Sequence, residues 1–418
     1  MARLLVGPRD HGPHLFIVQL RFLVDGKPLP GIKLGDIGLK MAYNGVDNDF
    51  ATFTHVRIPR SNMLTKYAMV APDGTYTAVP NNIVLTHSTM LLGRDIIARV
   101  AVSQLAQATT VATRYSTVRE QGYGPDGIEL PIIHYKHQQS RLLTLVAKSY
   151  AMLFAAKHCS AVYKRAMKQR EQGDLSVLPY VHCLTAGLKA WSTGEAADGV
   201  EDARKCCGGH GFLVISGLPD IVASSAGMAT FKGENYVLWL QVGRYLLKCV
   251  DSVVQGKKLH HEMAYLADET AHLKHGRVAG SSAQQTGEEQ GTDFLQRDVQ
   301  LEVYRCRAYR LIQAVHGKVR GSKKTPEEAW NEHMLPIITA SRAHVEYTVL
   351  RTFNTHLSNL KGSISAPLEL LLEKLCSLFA LSSITNSCTV DATSFIEDGY
   401  LSSLQMSSIR ESVNGLLK

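Results

Sequence analysis

No run of this sequence is apolar for the length a membrane-spanning helix needs, and no secretory signal pattern stands at Met1. A membrane span is therefore not expected. Cys-x-x-Cys is also absent. The eight cysteines, Cys159, Cys183, Cys206, Cys207, Cys249, Cys306, Cys376 and Cys388, are scattered, and the adjacent pair Cys206-Cys207 is not metal-ligand spacing. Most sit inside apolar helical patterns, so reduced, buried thiols are expected rather than a disulfide framework. His134 and His137 stand at i, i+3 without an acidic or third histidine partner, so no metal is expected. There is no repeat at solenoid period. Charge of one sign is not concentrated either: a net +8 from dispersed basic residues gives no nucleic-acid stripe, only a mild field suited to a small polyanion.

What is present is 418 residues of ordinary globular composition, 45% hydrophobic and 20% charged, enough for two or three domains and a large core. Residues 4 to 60 read as β, with a strongly β-prone run from Leu15 to Val24 and turn signals at Asp25-Gly26, Gly35–Gly38 and Asn44-Gly45. Residues 72 to 85 read as a loop. From Leu85 to Glu120 the apolar spacing becomes helical, and a loop is expected from Gly122 to Pro131. Further helices are expected from Ile132 to about Gln172, from Leu178 to Lys205 with soft breaks at Gly187 and Gly194, and from Tyr236 to about Val254. Together these imply a bundle.

Residues 276–291 (GRVAGSSAQQTGEEQG) are polar and aperiodic, the best linker in the chain. After it come a helix from Phe294 to His316 and a basic loop from Lys318 to Lys324. A further helix opens at Thr325-Pro326-Glu327-Glu328 with cap residue, proline and glutamate in the order of a capping box. Another helix begins near Pro367, and a last one runs from Leu401 to Leu417.

The chain is organised around Cys206 to Leu240. Gly208, Gly209 and Gly211 follow a helix and permit a sharp turn or a close approach to a bulky ligand. A polar, proline-containing loop is expected from Ser216 to Ala226. Thr230-Phe231-Lys232-Gly233-Glu234-Asn235 then leads into a new helix, whose N-terminus suits an anion. Spacing alone is equally that of an ordinary capped helix–loop–helix connection.

The motifs CGGHGF (206–212 in context), TFKGEN (230–235) and LQVGRYLLK (240–248) resemble those of the acyl-CoA oxidases, flavoproteins of peroxisomal fatty-acid β-oxidation related to the acyl-CoA dehydrogenases. Further phrases agree: KPLPGI with GDIG, VRIPRSNML, QGDLSVLP and HCLTAGLKA. The resemblance covers nearly the whole chain. It implies a mostly α fold with a partial β-domain at the N-terminus, like that of the acyl-CoA oxidases and dehydrogenases, and two α-helical bundle domains. The implied divisions are a partial middle β-domain (1–71), an FAD-binding helical bundle (85–276) and an incomplete C-terminal helical domain (293–418). The family's front helical domain and first half of the β-domain are expected to be missing, and the far C-terminus cut short.

The resemblance also implies a reaction: α,β-dehydrogenation of acyl-CoA to trans-2-enoyl-CoA, with FAD as hydride acceptor and electrons passed to O2 as H2O2. In the family the acidic residue just before the glycine of the second motif is the base; here that position is Lys232. A carboxylate suits the role, whereas an ordinary lysine, with a pKa of about 10.4, is protonated near neutral pH unless burial lowers it. Glu234 is the nearest carboxylate and a substitute candidate; a loop lysine facing solvent or phosphate is the plain reading of Lys232.

The glycines 208, 209 and 211 are expected to lie against FAD, Arg119 to reach the pyrophosphate of a neighbouring subunit's FAD, and Gln138 and Gln139 to meet the flavin across the dimer. Asn235 is a further cofactor candidate and Arg94 a candidate contact to CoA. Surface and helix-end roles remain the alternatives for these side chains. The expected partners are acyl-CoA and a second copy or an oxidase homologue. The expected compartment is the peroxisome, although Gly415-Leu416-Leu417-Lys418 is not a Ser-Lys-Leu type ending. Two further readings stand beside the enzyme: a catalytically impaired oxidase-like dimer partner, and the product of an incomplete gene model.

Overall fold

The computed structural model describes residues 1–80, 85, 89–268, 293–385, 393–396 and 400–417. The expected linker, 276–291, lies outside these residues, as does Cys388. The described residues form two compact units, Met1–Gly93 and Arg94–Lys418.

The first unit holds three two-stranded antiparallel sheets. Strands β1 (Ala2–Val6) and β2 (Arg9–His14) pair from Ala2↔His14 to Val6↔Arg9. Strands β3 (Ile32–Asp36) and β4 (Asp49–Phe53) pair from Ile32↔Phe53 to Asp36↔Asp49. Strands β5 (Ala68–Val70) and β6 (Tyr76–Ala78) form a hairpin where a loop was expected, closed by the Asp73 side chain accepting from Thr75 N at 2.9 Å. The β-prone run Leu15–Val24 is not a strand: it makes only the isolated bridges Phe16↔Met63 and Arg21↔Pro28. Strand propensity expresses packing against cross-strand neighbours, and Leu23 and Val24 have none, being 93% and 99% exposed.

Helix α1 (Thr89–Val118) leads into the second unit. A hairpin of β7 (Glu120–Tyr123) and β8 (Glu129–Pro131) replaces the expected loop after it, with Asp126 accepting from Ile128 N at 3.2 Å. Then follow α2 (Lys136–Glu171), α3 (Leu178–Cys206), α4 (Gly208–Phe212), α5 (Leu218–Thr230) and α6 (Asn235–Val254). The remaining helices are α7 (Arg297–Arg320), α8 (Pro326–Glu332), α9 (Met334–Leu360), α10 (Ala366–Thr385), α11 (Thr393–Ile396) and α12 (Ser403–Leu416). Helix α8 has the capping box read from the sequence, between Thr325 and Glu328. Helix α7 runs through Arg320, so part of the expected basic loop is its last turn. No helix among the described residues is long and apolar enough to cross a membrane.

Helices α3 and α9 are the centre. Helix α3 packs against α2, α5, α6 and α9, and α9 packs against α2, α6, α7 and α10. A helix in that position must be apolar around its circumference, and α3 buries Leu184, Ala186, Leu188 and Ala190 in succession. It does not break at Gly187 or Gly194. A Cβ at Gly187 would lie 2.6 Å from Val345 Cγ2, so this glycine serves close helix packing rather than a bend. The expected loop Ser216–Ala226 is also helical, since Pro219 sits in the first turn of α5, where its missing N–H costs nothing. Buried ion pairs join the layers: Lys148 to Glu195 at 2.5 Å ties α2 to α3, and Arg307 to Glu346 ties α7 to α9, with Ser394 taking Arg307 Nε at 2.6 Å. The seven cysteines among the described residues are buried free thiols.

Candidate functional site

The residues singled out in the sequence fall into two clusters at different levels of α3. The first is at its C-terminal end. Gln138, 4% exposed, donates from Nε2 to Cys206 O at 2.8 Å and to Ser116 Oγ at 2.9 Å. Tyr115 Oη and His210 Nδ1 lie 3.1 Å apart. These bonds draw the end of α1, the start of α2 and the glycine turn together, bringing Arg119, Gln138, Gln139, Gly208, Gly209 and Gly211 into one region. Arg119 is exposed just beyond α1, its carbonyl accepting from Ile132 N at 2.8 Å.

Two observations there fit a bound cofactor. Gln139 Oε1 is buried without a hydrogen-bond partner among the described residues, which a ligand donor would satisfy. Gly209 is exposed with open space around the place a Cβ would take, while a Cβ at Gly211 would run into the Arg204 carbonyl. So Gly211 is required by the turn, and Gly209 leaves room for a ligand. The next residues, Phe212, Leu213, Val214 and Ile215, are 77%, 50%, 72% and 93% exposed, an apolar patch larger than isolated surface residues produce. Gln138, by contrast, spends its amide inside the protein.

The second cluster is the turn between α5 and α6. It rests on Lys189, a residue the sequence reading passed over. Lys189 is fully buried and donates from Nζ to Ala229 O at 3.2 Å, Gly233 O at 2.7 Å and Asn235 Oδ1 at 3.0 Å. Burial lowers its pKa to about 8, opposed by the Glu234 charge and assisted by that of Arg94. The signal was available: a lysine inside the otherwise apolar LTAGLKAW run must have buried acceptors waiting. Asn235 is also held by Thr193, whose Oγ1 lies 3.0 Å from Asn235 Nδ2, so both ends of its side chain are engaged within the protein. Glu234 caps α6, accepting from Tyr236 N at 2.9 Å.

Lys232 stands at the tip of this turn, exposed, with φ 58, and makes no hydrogen bond or ion pair among the described residues. The following Gly233 has φ 102, and a Cβ there would lie 2.8 Å from Leu238 Cδ2. Arg94 is 5% exposed, yet its Nε and Nη1 have no partner among the described residues, and burial lowers its pKa. A desolvated guanidinium without an anion is costly, so this position fits an anionic partner. The 17 residues from Lys189 to Cys206 place the two clusters roughly 25 Å apart along α3.

The comparisons with known proteins agree with this anatomy. Residues 87–247 match the model of the acyl-CoA oxidase C-alpha1 domain, and residues 296–418 match that of acyl-CoA oxidase. The chain is 36% identical to peroxisomal acyl-coenzyme A oxidase 1 of Phascolarctos cinereus over its whole length, which is 62% of that relative. The solved structure of Arabidopsis thaliana acyl-CoA oxidase 1 superposes with a TM-score of 0.89 at 36% identity, covering 100% of this chain and 61% of the other. Acyl-CoA oxidase-2 of Caenorhabditis elegans, solved with FAD, ascaroside-CoA and ATP, gives 0.87 at 30% identity, covering 100% and 59%. Fold and site thus define a chain of the oxidase type, a helical core carrying a glycine turn and a capped loop–helix turn. The chain belongs to the acyl-CoA oxidase family. It spans 62% of the length of the curated relative it matches.

Proposed function

We propose that this chain serves FAD-dependent α,β-dehydrogenation of acyl-CoA, giving trans-2-enoyl-CoA and H2O2, in a form whose proton-abstracting position is impaired. FAD, when bound, supplies the hydride acceptor and passes the electrons to O2. Arg119, Gln139, Gly208 and Gly209 are the residues proposed to hold it; the orphaned Gln139 oxygen and the open face of Gly209 support this. Gln138 and Gly211 shape the turn beneath it. Arg94 is proposed to meet an anionic group of the acyl-CoA, because its buried Nε and Nη1 lack a partner among the described residues.

The observation that carries the impairment is Lys232. The reaction needs a group that accepts the α-proton. The position proposed for it holds an exposed amine that makes no hydrogen bond or ion pair among the described residues. Glu234 caps α6 through Oε2, which supports a role in holding the turn rather than in proton transfer.

A dimer is part of the proposal. The separation of the two clusters suits a flavin shared between chains, the glycine region of one serving the partner's flavin. A groove of about 550 Å³ between α1 and α2, with Thr109 and Thr113 Oγ1 buried and unpartnered, supports a second chain covering this face. That second chain is a copy of this one or an oxidase homologue; Lys232 favours the latter, with this chain as an impaired partner. The division of the helices into domains 85–276 and 293–418 is likewise proposed, supported by family models that end at 247 and begin at 296. The peroxisome is the proposed compartment, from relatives so named. The test is peroxide release from a saturated acyl-CoA by this chain fused to the N-terminal part of a relative, with Lys232 or with Lys232→Glu.

A further inference from the structure

At the opposite end of α3 from the glycine turn, a cavity of about 450 Å³ opens between α2, the start of α3 and the segment that follows α6. Arg165, Tyr180, Lys258, His260, His261 and Glu262 are among its lining residues. Its size is that of a small-molecule site, and no part of the proposed reaction uses it.

Its charge is one-sided. Glu262 is the only carboxylate among the described lining residues, and it is already taken by Arg351, which donates to its Oε2 and to its backbone carbonyl. Arg165 and Lys258 make no ion pair among the described residues. The His260 ring is stacked on Tyr180, with centroids 4.0 Å apart and planes at 16°. Its Nδ1 accepts the backbone N–H of Glu262 at 3.3 Å. A neutral imidazole that accepts at Nδ1 carries its proton on Nε2, so Nε2–H remains as a donor.

Two further atoms in this region have no hydrogen-bond partner among the described residues although they are sealed from solvent: Tyr180 Oη, on a side chain 3% exposed, and His158 Nε2, which is 3.9 Å from Glu262. Both imidazoles are pushed down to about 4. For His260 the causes are burial, then the charges of His261, Arg165 and Arg351; for His158 they are burial, then Arg351, His356, Arg165 and His261. The same cations that disfavour a proton on these rings favour an anion beside them.

We propose that this cavity binds a phosphate-bearing small molecule, the phosphate being held by His260 Nε2–H, Arg165 and Lys258, over the Tyr180–His260 stack. A metal ion is the wrong sign for this ring of cations, and the cavity is concave rather than a flat face for a protein. A dianion gains charge-assisted hydrogen bonds from each of the three donors.

The experiment titrates this chain with inorganic phosphate at pH 7, by calorimetry and by the His260 and His158 imidazole NMR signals. Saturable binding is expected, with the His260 titration moving up toward 6.5 in phosphate, since an adjacent anion stabilises the imidazolium. The double variant Arg165→Gln, Lys258→Gln changes two exposed side chains, so it should fold and melt as the parent does while binding about tenfold more weakly. AMP binding tighter than phosphate would extend the site to a flat ring over the stack. Acetate binding as well as phosphate, no saturation in tens of millimolar phosphate, or undiminished binding in the double variant each overturns the proposal. The flavin-dependent reading plays no part in these readouts.

Discussion

Replacing Lys189 by methionine should loosen the Ala229–Asn235 turn while leaving the bundle folded. The substitution deletes three hydrogen bonds of 3.2, 2.7 and 3.0 Å. The Ala229 and Gly233 carbonyls each lose a charged donor, and an orphaned buried acceptor costs about 1–3 kcal/mol. Asn235 keeps Thr193. Methionine fills the same space without an ammonium to desolvate, which offsets part of the loss. The balance is a local cost of about 2 kcal/mol, or some thirtyfold in the opening equilibrium of the turn.

The assay is hydrogen exchange resolved to the peptide 226–236. Unchanged exchange there in a folded Lys189→Met protein would refute the reasoning and leave the Glu234 cap as the turn's support. A pH arm sharpens the test. The Lys189 pKa, lowered by burial to about 8, lies below its ordinary 10.5, so the folded chain loses this proton first. Opening the turn exposes Lys189 and returns it to its ordinary pKa, so between about pH 8 and 10.5 the open turn binds more protons and exchange there should rise less than its intrinsic pH trend, an effect absent from Lys189→Met. The sign for overall stability is the same. Between about 8 and 10.5 the unfolded chain binds more protons, so this group's contribution to stability rises with pH.

The two glycines of the turn should separate architecture from cofactor contact: Gly211→Ala should disrupt the turn at the Arg204 carbonyl and lower the melting temperature. Gly209→Ala should melt normally but retain less flavin in the fused protein, as measured by absorbance after desalting. His344 is buried with Nδ1 2.8 Å from Tyr265 Oη, and burial pushes it down to about 4. The stability linked to its neutral form is present above about pH 6.5 and lost as pH falls through about 4, up to about 3 kcal/mol. Urea midpoints at pH 7 and pH 4.5 should therefore differ less in His344→Gln than in the parent. Sedimentation at micromolar concentration should show association, and Thr110→Arg in the α1–α2 groove should abolish it; a parent that stays monomeric and binds no oxidase homologue refutes the dimer.

The helices were legible because their apolar periodicity is long and the breakers sit at their ends, as Thr325-Pro326 does for α8. Where breakers mislead, packing decides: Gly187 reads as a weak point until Val345 is found against it, and Pro219 reads as a loop until it is seen in the first turn of α5. The run Leu15–Val24 failed for the opposite reason, since a β-prone segment becomes a strand only when a partner strand lies beside it. In the site, the glycine turn and the Lys232 position were legible as motifs. Lys189 could be flagged as a lysine in an apolar run, but its partners could not be named, because they are two carbonyls about forty residues away in sequence, which no local pattern encodes. Likewise the commitment of Asn235 and Gln138 to internal hydrogen bonds appears only once their partners on α3 are in place.

The central claim, that the residue at position 232 limits the chemistry, is tested most directly by peroxide release from a saturated acyl-CoA in the fused protein. Lys232 and Lys232→Glu forms are to be compared at equal flavin content. The account predicts that both retain flavin and that the Glu form turns over about 10²–10⁴-fold faster, the contribution of a positioned general base. Equal peroxide release by the Lys232 form would contradict it, and Glu234→Gln in that form would then tell whether Glu234 or Lys232 takes the proton.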